Sequence, residues 1–343
     1  MAHRIAVIPG DGIGPEVIAE ASNILQRIGG LELTPLPWSA DHYLATGITL
    51  PSDGYDTLRS FDAILIGALG DPRVRDNRHA RDILLGTRFE LDLYVNYRPV
   101  KLLHDELSPL KNRTRRDIDF VVFRENTEGV YVGVGGRFKA GTMDEVAVQE
   151  EINTYKGVHR IQRHAFEYAR AHGLQKVCMA DKSNAMPDGH ALWQRVFTEL
   201  KAEFPDIQAT HMYIDALAMF LVQNPGQFKV IVTNNLFGDI ITDIGGALQG
   251  GLGMAASGNL HPGRTSMFEP VHGSAPPLAG KNVANPIGAI LSAALMLETL
   301  GRPDDAHRVE QAVEAAVQAG ETTADIGGAL GTREAGAAIL KRL

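Results

Sequence analysis

Short apolar runs alternate with amphipathic helical stripes along most of this chain, and that rhythm restricts the fold more than any other feature. Ile5–Ile8 reads as a strand and is followed by a glycine turn. Glu16–Arg27 then places Val17, Ile18, Ala21, Ile24 and Leu25 at helical spacing. Further strand-like runs are Ala63–Ile66, Phe120–Phe123, Lys176–Met179, Ala209–Ile214 and Val230–Val232. Helical patterns cover Gly157–Ala171, Ala191–Glu203 and Ala216–Gln223. Such alternation predicts an α/β architecture with a largely parallel sheet. Gly129–Ala147 departs from it: period-two alternation around a glycine turn suggests a β-hairpin arm, or an ordinary surface hairpin. The Ala-rich C-terminal part reads as helical packing. Its longest apolar run, Ile287–Leu297, falls short of the ~20 residues that span a bilayer and reads as a buried helix.

Composition excludes several classes of function. At 343 residues the chain suits two domains or one large one, given about 150 residues per domain. Thirty-three Lys and Arg stand against 41 Asp and Glu, a net charge of −8, which argues against nucleic-acid binding. A local arginine cluster can still take an anionic substrate. Cys178 is the sole cysteine, so no intrachain disulfide is possible. With no leader ahead of Ile5 and no membrane segment, a cytoplasmic location is expected.

Several stretches carry chemistry. Pro9-Gly10-Asp11-Gly12-Ile13-Gly14 follows a strand and opens a helix, as a phosphate-binding turn would. Its Gly-x-Gly-x-Gly spacing is not the Rossmann fingerprint, and a tight structural turn is an equal reading. Arg88, Arg98 and Arg124 stand at or near element ends. Together their forks would suit a di- or tricarboxylate; separately they would be unrelated ion pairs. In Asn234-Asn235-Leu236-Phe237-Gly238-Asp239-Ile240-Ile241-Thr242-Asp243, a strand gives way to a helix near Leu236. Asp239 and Asp243 then share one face, with Ile240, Ile241 and Ile244 on the other. Like charges at that spacing call for a cation, and hard oxygens suit Mg²⁺ or Mn²⁺; otherwise they form a solvated acidic face. Asp215 is a third candidate ligand. Lys182 and Tyr131 are candidate proton carriers. Phe268–Pro286 is rich in turn formers and reads as a long functional loop. No histidine pattern suggests zinc, and no Gly-x-Ser-x-Gly elbow occurs.

Asn-Leu-Phe-Gly-Asp-Ile-x-x-Asp at 235–243 and Glu-Pro-Val-His-Gly-Ser-Ala-Pro at 269–276 resemble the β-decarboxylating dehydrogenases. That family comprises the 3-isopropylmalate, isocitrate, homoisocitrate and tartrate/D-malate dehydrogenases, and its motifs run from Pro9 to Gly328. The resemblance implies a two-domain, non-Rossmann α/β subunit. Residues 1–99 with 252–343 would form the cofactor-side domain. Residues 100–251 would carry the metal ligands, the dimerisation helices and the arm. A homodimer would share active sites lying between domains, with Lys182 and Asp215 lent by the partner subunit. Arg88, Arg98 and Arg124 would hold the malate portion of the substrate. Lys182 would take the hydroxyl proton, and Tyr131 would protonate the enol. Asp215, Asp239 and Asp243 would bind Mg²⁺ or Mn²⁺. Glu269, His272 and the segment Gly273–Asn285, with Ser274, Ala275, Pro276 and Asn285, would line the cofactor.

Two departures bear on specificity. Pro277-Leu278 is neither the Asp of many NAD-dependent members nor the Lys-Tyr of NADP-dependent ones. Residues 323–328 offer no Tyr or Arg for a 2′-phosphate, so NAD is expected. In Arg81-Asp82-Ile83-Leu84-Leu85-Gly86-Thr87-Arg88, Leu84 and Leu85 suit an isopropyl group, while Arg81 replaces the glutamate of the isopropylmalate type. Arg124-Glu125-Asn126-Thr127-Glu128-Gly129 looks more like the isocitrate, homoisocitrate and tartrate members. The expectation is oxidation of 3-isopropylmalate to 4-methyl-2-oxopentanoate and CO₂, in leucine biosynthesis. A D-malate/tartrate- or isocitrate/homoisocitrate-type activity is the alternative. A non-catalytic binding protein and a phosphotransferase are the competing classes; the latter lacks Gly-Lys-Ser/Thr after its glycine turn.

Overall fold

Continuous apolar runs form the inner strands in the computed structural model, which describes residues 2–343. In chain order the strands are β1 (His3–Ile8), β2 (Leu31–Pro35), β3 (Ala63–Ile66), β4 (Val95–Lys101), β5 (Asp119–Glu125), β6 (Gly135–Phe138), β7 (Val146–Gln149), β8 (Lys176–Asp181), β9 (Gln208–Tyr213), β10 (Val230–Thr233), β11 (Ala256–Leu260) and β12 (Ser266–Pro270). The chain divides into two units. One comprises the residues up to Leu93, Tyr97–Ile118 and Gly246–Leu343; the other comprises Tyr94–Asn96 and Asp119–Gly245. The crossings thus fall near residues 93–97, 118 and 245, rather than at 99 and 251.

The first unit carries the strand order β2-β1-β3-β12-β11-β4. β1 pairs in parallel with β2 and β3, Ile5 lying opposite Leu33 and Ala63, and β12 runs parallel to β3. β11 and β12 are antiparallel, with Ser257 opposite Glu269. They interrupt the C-terminal part that reads as helical packing, and Phe268, Glu269 and Pro270 belong to β12. The turn-rich loop therefore starts at Val271, not Phe268. Helix Gly14–Ile28 buries the expected stripe of Val17, Ile18, Ala21, Ile24 and Leu25. Helix Ile287–Thr299 is apolar all round and buried, packing on β11, β12 and helix Gly14–Ile28. A second part of this core gathers Ile8, Trp38, Leu58, Ile66 and Ile83, with Tyr55 and Leu84 packed against it.

The second unit carries the order β5-β10-β8-β9, all parallel, with Val232 between Phe123 and Met179. Strands buried on both faces read as unbroken apolar runs, which is why β8 and β10 are legible. Helix Tyr155–Ala171 packs on β5, β8 and β10 and on helix Pro187–Glu203. Its N-cap, Thr154, accepts the Gly157 amide at 3.0 Å. β6 and β7 form a separate antiparallel hairpin whose residues are all exposed. This is the hairpin expected from the glycine turn; Tyr131 lies before it, in the short helical turn Val130–Val132.

Candidate active site

The glycine turn of the first unit is filled by the protein's own backbone. Gly12 has φ +58°, and a Cβ there would lie 1.9 Å from the Ser274 carbonyl oxygen. The Asp11 and Ile13 amides donate to Ala68 and Ser274 oxygens at 2.7 and 2.8 Å. The turn is a joint against the loop after β12, which favours the structural reading over phosphate binding. Asp11 ties it further. One carboxylate oxygen accepts the Ala40 amide at 2.7 Å; the other meets the Gly70 amide and His79 Nε2, each at 2.8 Å.

Arg88 follows a widened helical turn and is 6% exposed. Its Nη2 donates to Glu269 Oε1 at 2.7 Å, which also accepts Asn259 Nδ2 at 2.8 Å. Arg88 Nε is buried with no hydrogen-bond partner. Glu269, assigned to the cofactor by resemblance, is the counter-charge of Arg88. Arg98 is buried on β4. Leu84 and Leu85 are half-buried, and Arg81 points outward beside Asp82.

The loop after β12 is ordered by its own polar contacts. Ala275 adopts φ +38°, and the chain turns at Pro276–Leu278. Asn285 Oδ1 caps the Ile287 amide at 3.0 Å, and its Nδ2 donates to Asp325 Oδ2 at 3.0 Å. His272 Nδ1 meets the Gly273 oxygen at 3.0 Å, while Nε2 is buried without a partner. Burial lowers the pKa of this imidazole.

In the second unit Arg124 ends β5, 1% exposed. Its Nε donates to Asn235 Oδ1 at 2.9 Å and its Nη1 to Asp239 Oδ1. The guanidinium lies 5.3 Å from the Tyr131 ring centroid, and the Tyr131 hydroxyl donates to Asp239 Oδ2 at 2.7 Å. A guanidinium, a phenol and a carboxylate therefore meet at one point. A Cβ on Gly238 would sit 2.5–2.6 Å from Arg124 Cγ and Cβ, so the helix needs glycine where the arginine crosses it. Asp239 and Asp243 lie one turn apart in helix Asn235–Leu248. Ile241 of the expected opposite face is buried, but Ile240 is 53% exposed, so the helix has a second apolar face turned outward.

Lys182 Nζ donates to Asp215 Oδ1 at 2.7 Å. That ammonium holds the Asp215 carboxyl below the usual carboxylate range. Sequence reasoning missed the fixture behind the lysine. The Lys182 amide donates to His190 Nδ1 at 2.8 Å, so His190 Nε2 carries the hydrogen that faces Glu151 Oε1 at 3.2 Å. Asn234 Nδ2 reaches the same oxygen at 2.7 Å. Burial pushes the Glu151 pKa up, but these hydrogen bonds bring it below its ordinary value. No local signal marks Glu151 or His190. Among the described residues, no group of three His, Cys, Asp or Glu side chains is placed to hold a metal ion. Nor is any helix among them long and apolar enough to cross a membrane.

Arg124 near the end of β5, Lys182 after β8 and Asp215 after β9 stand where α/β proteins of this class place functional side chains. The isocitrate/isopropylmalate dehydrogenase family matches residues 4–339, and the chain belongs to it. It is 49% identical to the 3-isopropylmalate dehydrogenase of Rhodococcus erythropolis, over 91% of this chain and 93% of that one. It is 45% identical to the enzyme of the same name from Thermobifida fusca, over 99% and 97% of the two chains. Among solved structures, the isocitrate dehydrogenase from Methylococcus capsulatus superposes with a TM-score of 0.90 at 34% identity, covering 99% of both chains. The TT0538 protein from Thermus thermophilus gives 0.88 at 36% identity, covering 100% of this chain and 68% of that one. Family membership makes the chain an oxidatively decarboxylating dehydrogenase.

Proposed function

We propose that this chain oxidatively decarboxylates 3-isopropylmalate to 4-methyl-2-oxopentanoate and CO₂, using NAD and Mg²⁺ or Mn²⁺, as a homodimer in leucine biosynthesis. The observation that carries the reading is the junction of Arg124, Tyr131 and Asp239 at hydrogen-bond distance. The names of the relatives and the half-buried Leu84 and Leu85 support the isopropyl-bearing substrate over the runner-up acids. Asp239 and Asp243, both reachable from solvent, offer the hard oxygens a divalent ion takes, with Asp215 of a second copy completing the set. The loop through Asn285, ordered by its own polar contacts, supports a dinucleotide site.

The chain's own groups then have separable tasks. Arg88, Arg98 and Arg124 hold the two carboxylates and oppose charge developing as CO₂ departs. Lys182 takes the substrate hydroxyl proton, and Tyr131 returns a proton to the carbon that lost CO₂. Bound NAD would supply the hydride acceptor, and a divalent ion held by Asp239, Asp243 and a second copy's Asp215 would supply Lewis acidity. Kinetics on 3-isopropylmalate, D-malate, tartrate, isocitrate and homoisocitrate test the substrate. The highest kcat/KM is expected for 3-isopropylmalate; preference for any other acid contradicts the reading.

A further inference from the structure

Arg81–Leu85 is not an ordinary helical turn. The Gly86 amide donates to the Arg81 oxygen, five residues back, instead of to Asp82. The carbonyls inside this widened turn are taken by hydroxyls. Tyr55 donates to the Asp82 oxygen at 2.8 Å, and Thr87 Oγ1 to the Ile83 oxygen at 2.5 Å. The Asp82 carboxylate is held separately by Thr49 Oγ1 at 2.8 Å. Tyr55 stands on the short helix Gly54–Arg59, anchored by fully buried Leu58. A Cβ on residue 86 would lie 2.1 Å from the Tyr55 hydroxyl oxygen, so Gly86 makes the approach possible.

An extra residue in a helical turn rotates the downstream part of the helix by about 100° relative to the upstream part. Leu84 and Leu85 lie inside the wide turn, and Arg88 comes directly after it. The turn thus sets the angle between two apolar side chains and a guanidinium. Wide turns of this kind occur mostly as single insertions in helices, frequently at functional sites. We propose that Tyr55 is a positioning residue for substrate selectivity: its hydroxyl, clamped on the Asp82 carbonyl, maintains the wide turn that presents Leu84 and Leu85 to the substituent at C3 of the acid. This rests on the reading of the chain as a dehydrogenase that holds the malate portion on its arginines. Without the hydroxyl, the Asp82 carbonyl reclaims the Gly86 amide and the leucines turn against Arg88.

The test compares kcat/KM for 3-isopropylmalate and for D-malate, which lacks the substituent, in wild type and Tyr55→Phe, with thermal unfolding of both. The wild-type ratio tests the function; the change in that ratio on substitution tests Tyr55, whichever acid wild type prefers. Tyr55→Phe is expected to change the ratio about tenfold, the size of a misplaced apolar contact, with D-malate turnover and unfolding temperature little altered. Gly86→Ala, which displaces the hydroxyl by crowding, should shift the ratio the same way. In the Tyr55→Phe background it should add little. An unchanged ratio in Tyr55→Phe, or an equal fall on both acids, overturns the proposal.

Discussion

Lys182 is held through its side chain by Asp215 and through its backbone by His190, so its removal should disturb chemistry more than folding. Lys182→Ala is expected to lower kcat by about a thousandfold, the range for loss of a positioned base, while thermal unfolding stays near wild type. A variant retaining full turnover would remove the lysine from the mechanism. Asp243 is exposed, and its replacement leaves no buried charge unpaired. Asp243→Asn should weaken Mn²⁺ binding measured by titration calorimetry; an unchanged affinity would contradict the ligand assignment. His164 supplies a pH prediction. Burial beside the Phe123 ring pushes its pKa down to about 4 from an ordinary 6.5. Below pH 6.5 the unfolded chain binds a proton that the folded one refuses until about pH 4. Its contribution to stability is therefore complete above pH 6.5 and is lost as pH falls through that interval. Urea unfolding between pH 6.5 and 4.5 should show a shallower decline for His164→Leu, by up to about 1 kcal/mol per pH unit.

The helix bearing Asp239 shows where packing overrules propensity. Alanine normally stabilises a helix interior over glycine by about 1 kcal/mol. Gly238→Ala should do the reverse, because its Cβ would strike Arg124 at 2.5–2.6 Å. A lower unfolding temperature and a raised KM for the hydroxy acid are expected; a more stable variant with normal KM would contradict the account. The elements differ in how legible they were. β1, β3, β8 and β10 each hold an apolar run and could be read directly. β11 reads Ala-Ser-Gly-Asn-Leu and β4 carries Asn96, Arg98 and Pro99, so neither has a strand pattern, although β11 is wholly buried. The wide turn before Arg88 leaves no local trace, because Tyr55 imposes it from 27 residues away. The candidate site residues could be named from motifs, yet their pairings could not. Arg88 meets Glu269 across 181 positions, and Tyr131 meets Asp239 across 108.

The molecule's working form, in our reading, contains two copies. An isolated two-stranded hairpin is marginal in water, yet β6–β7 exposes Phe138, Val146 and Val148 at 66%, 49% and 47%. Lysines at Val146 and Val148 should convert a sedimenting dimer into monomers and abolish turnover, since Lys182 and Asp215 would then serve no neighbour. A fully active monomer would contradict shared sites. The central claim is that hydride removal and carbon–carbon cleavage occur on one acid in one enzyme. It is tested most directly by counting products from 3-isopropylmalate with Mn²⁺: one NADH and one CO₂ should form per molecule consumed, with both rates about a thousandfold lower in Lys182→Ala. NADH without CO₂, or no NADH at all, would contradict it.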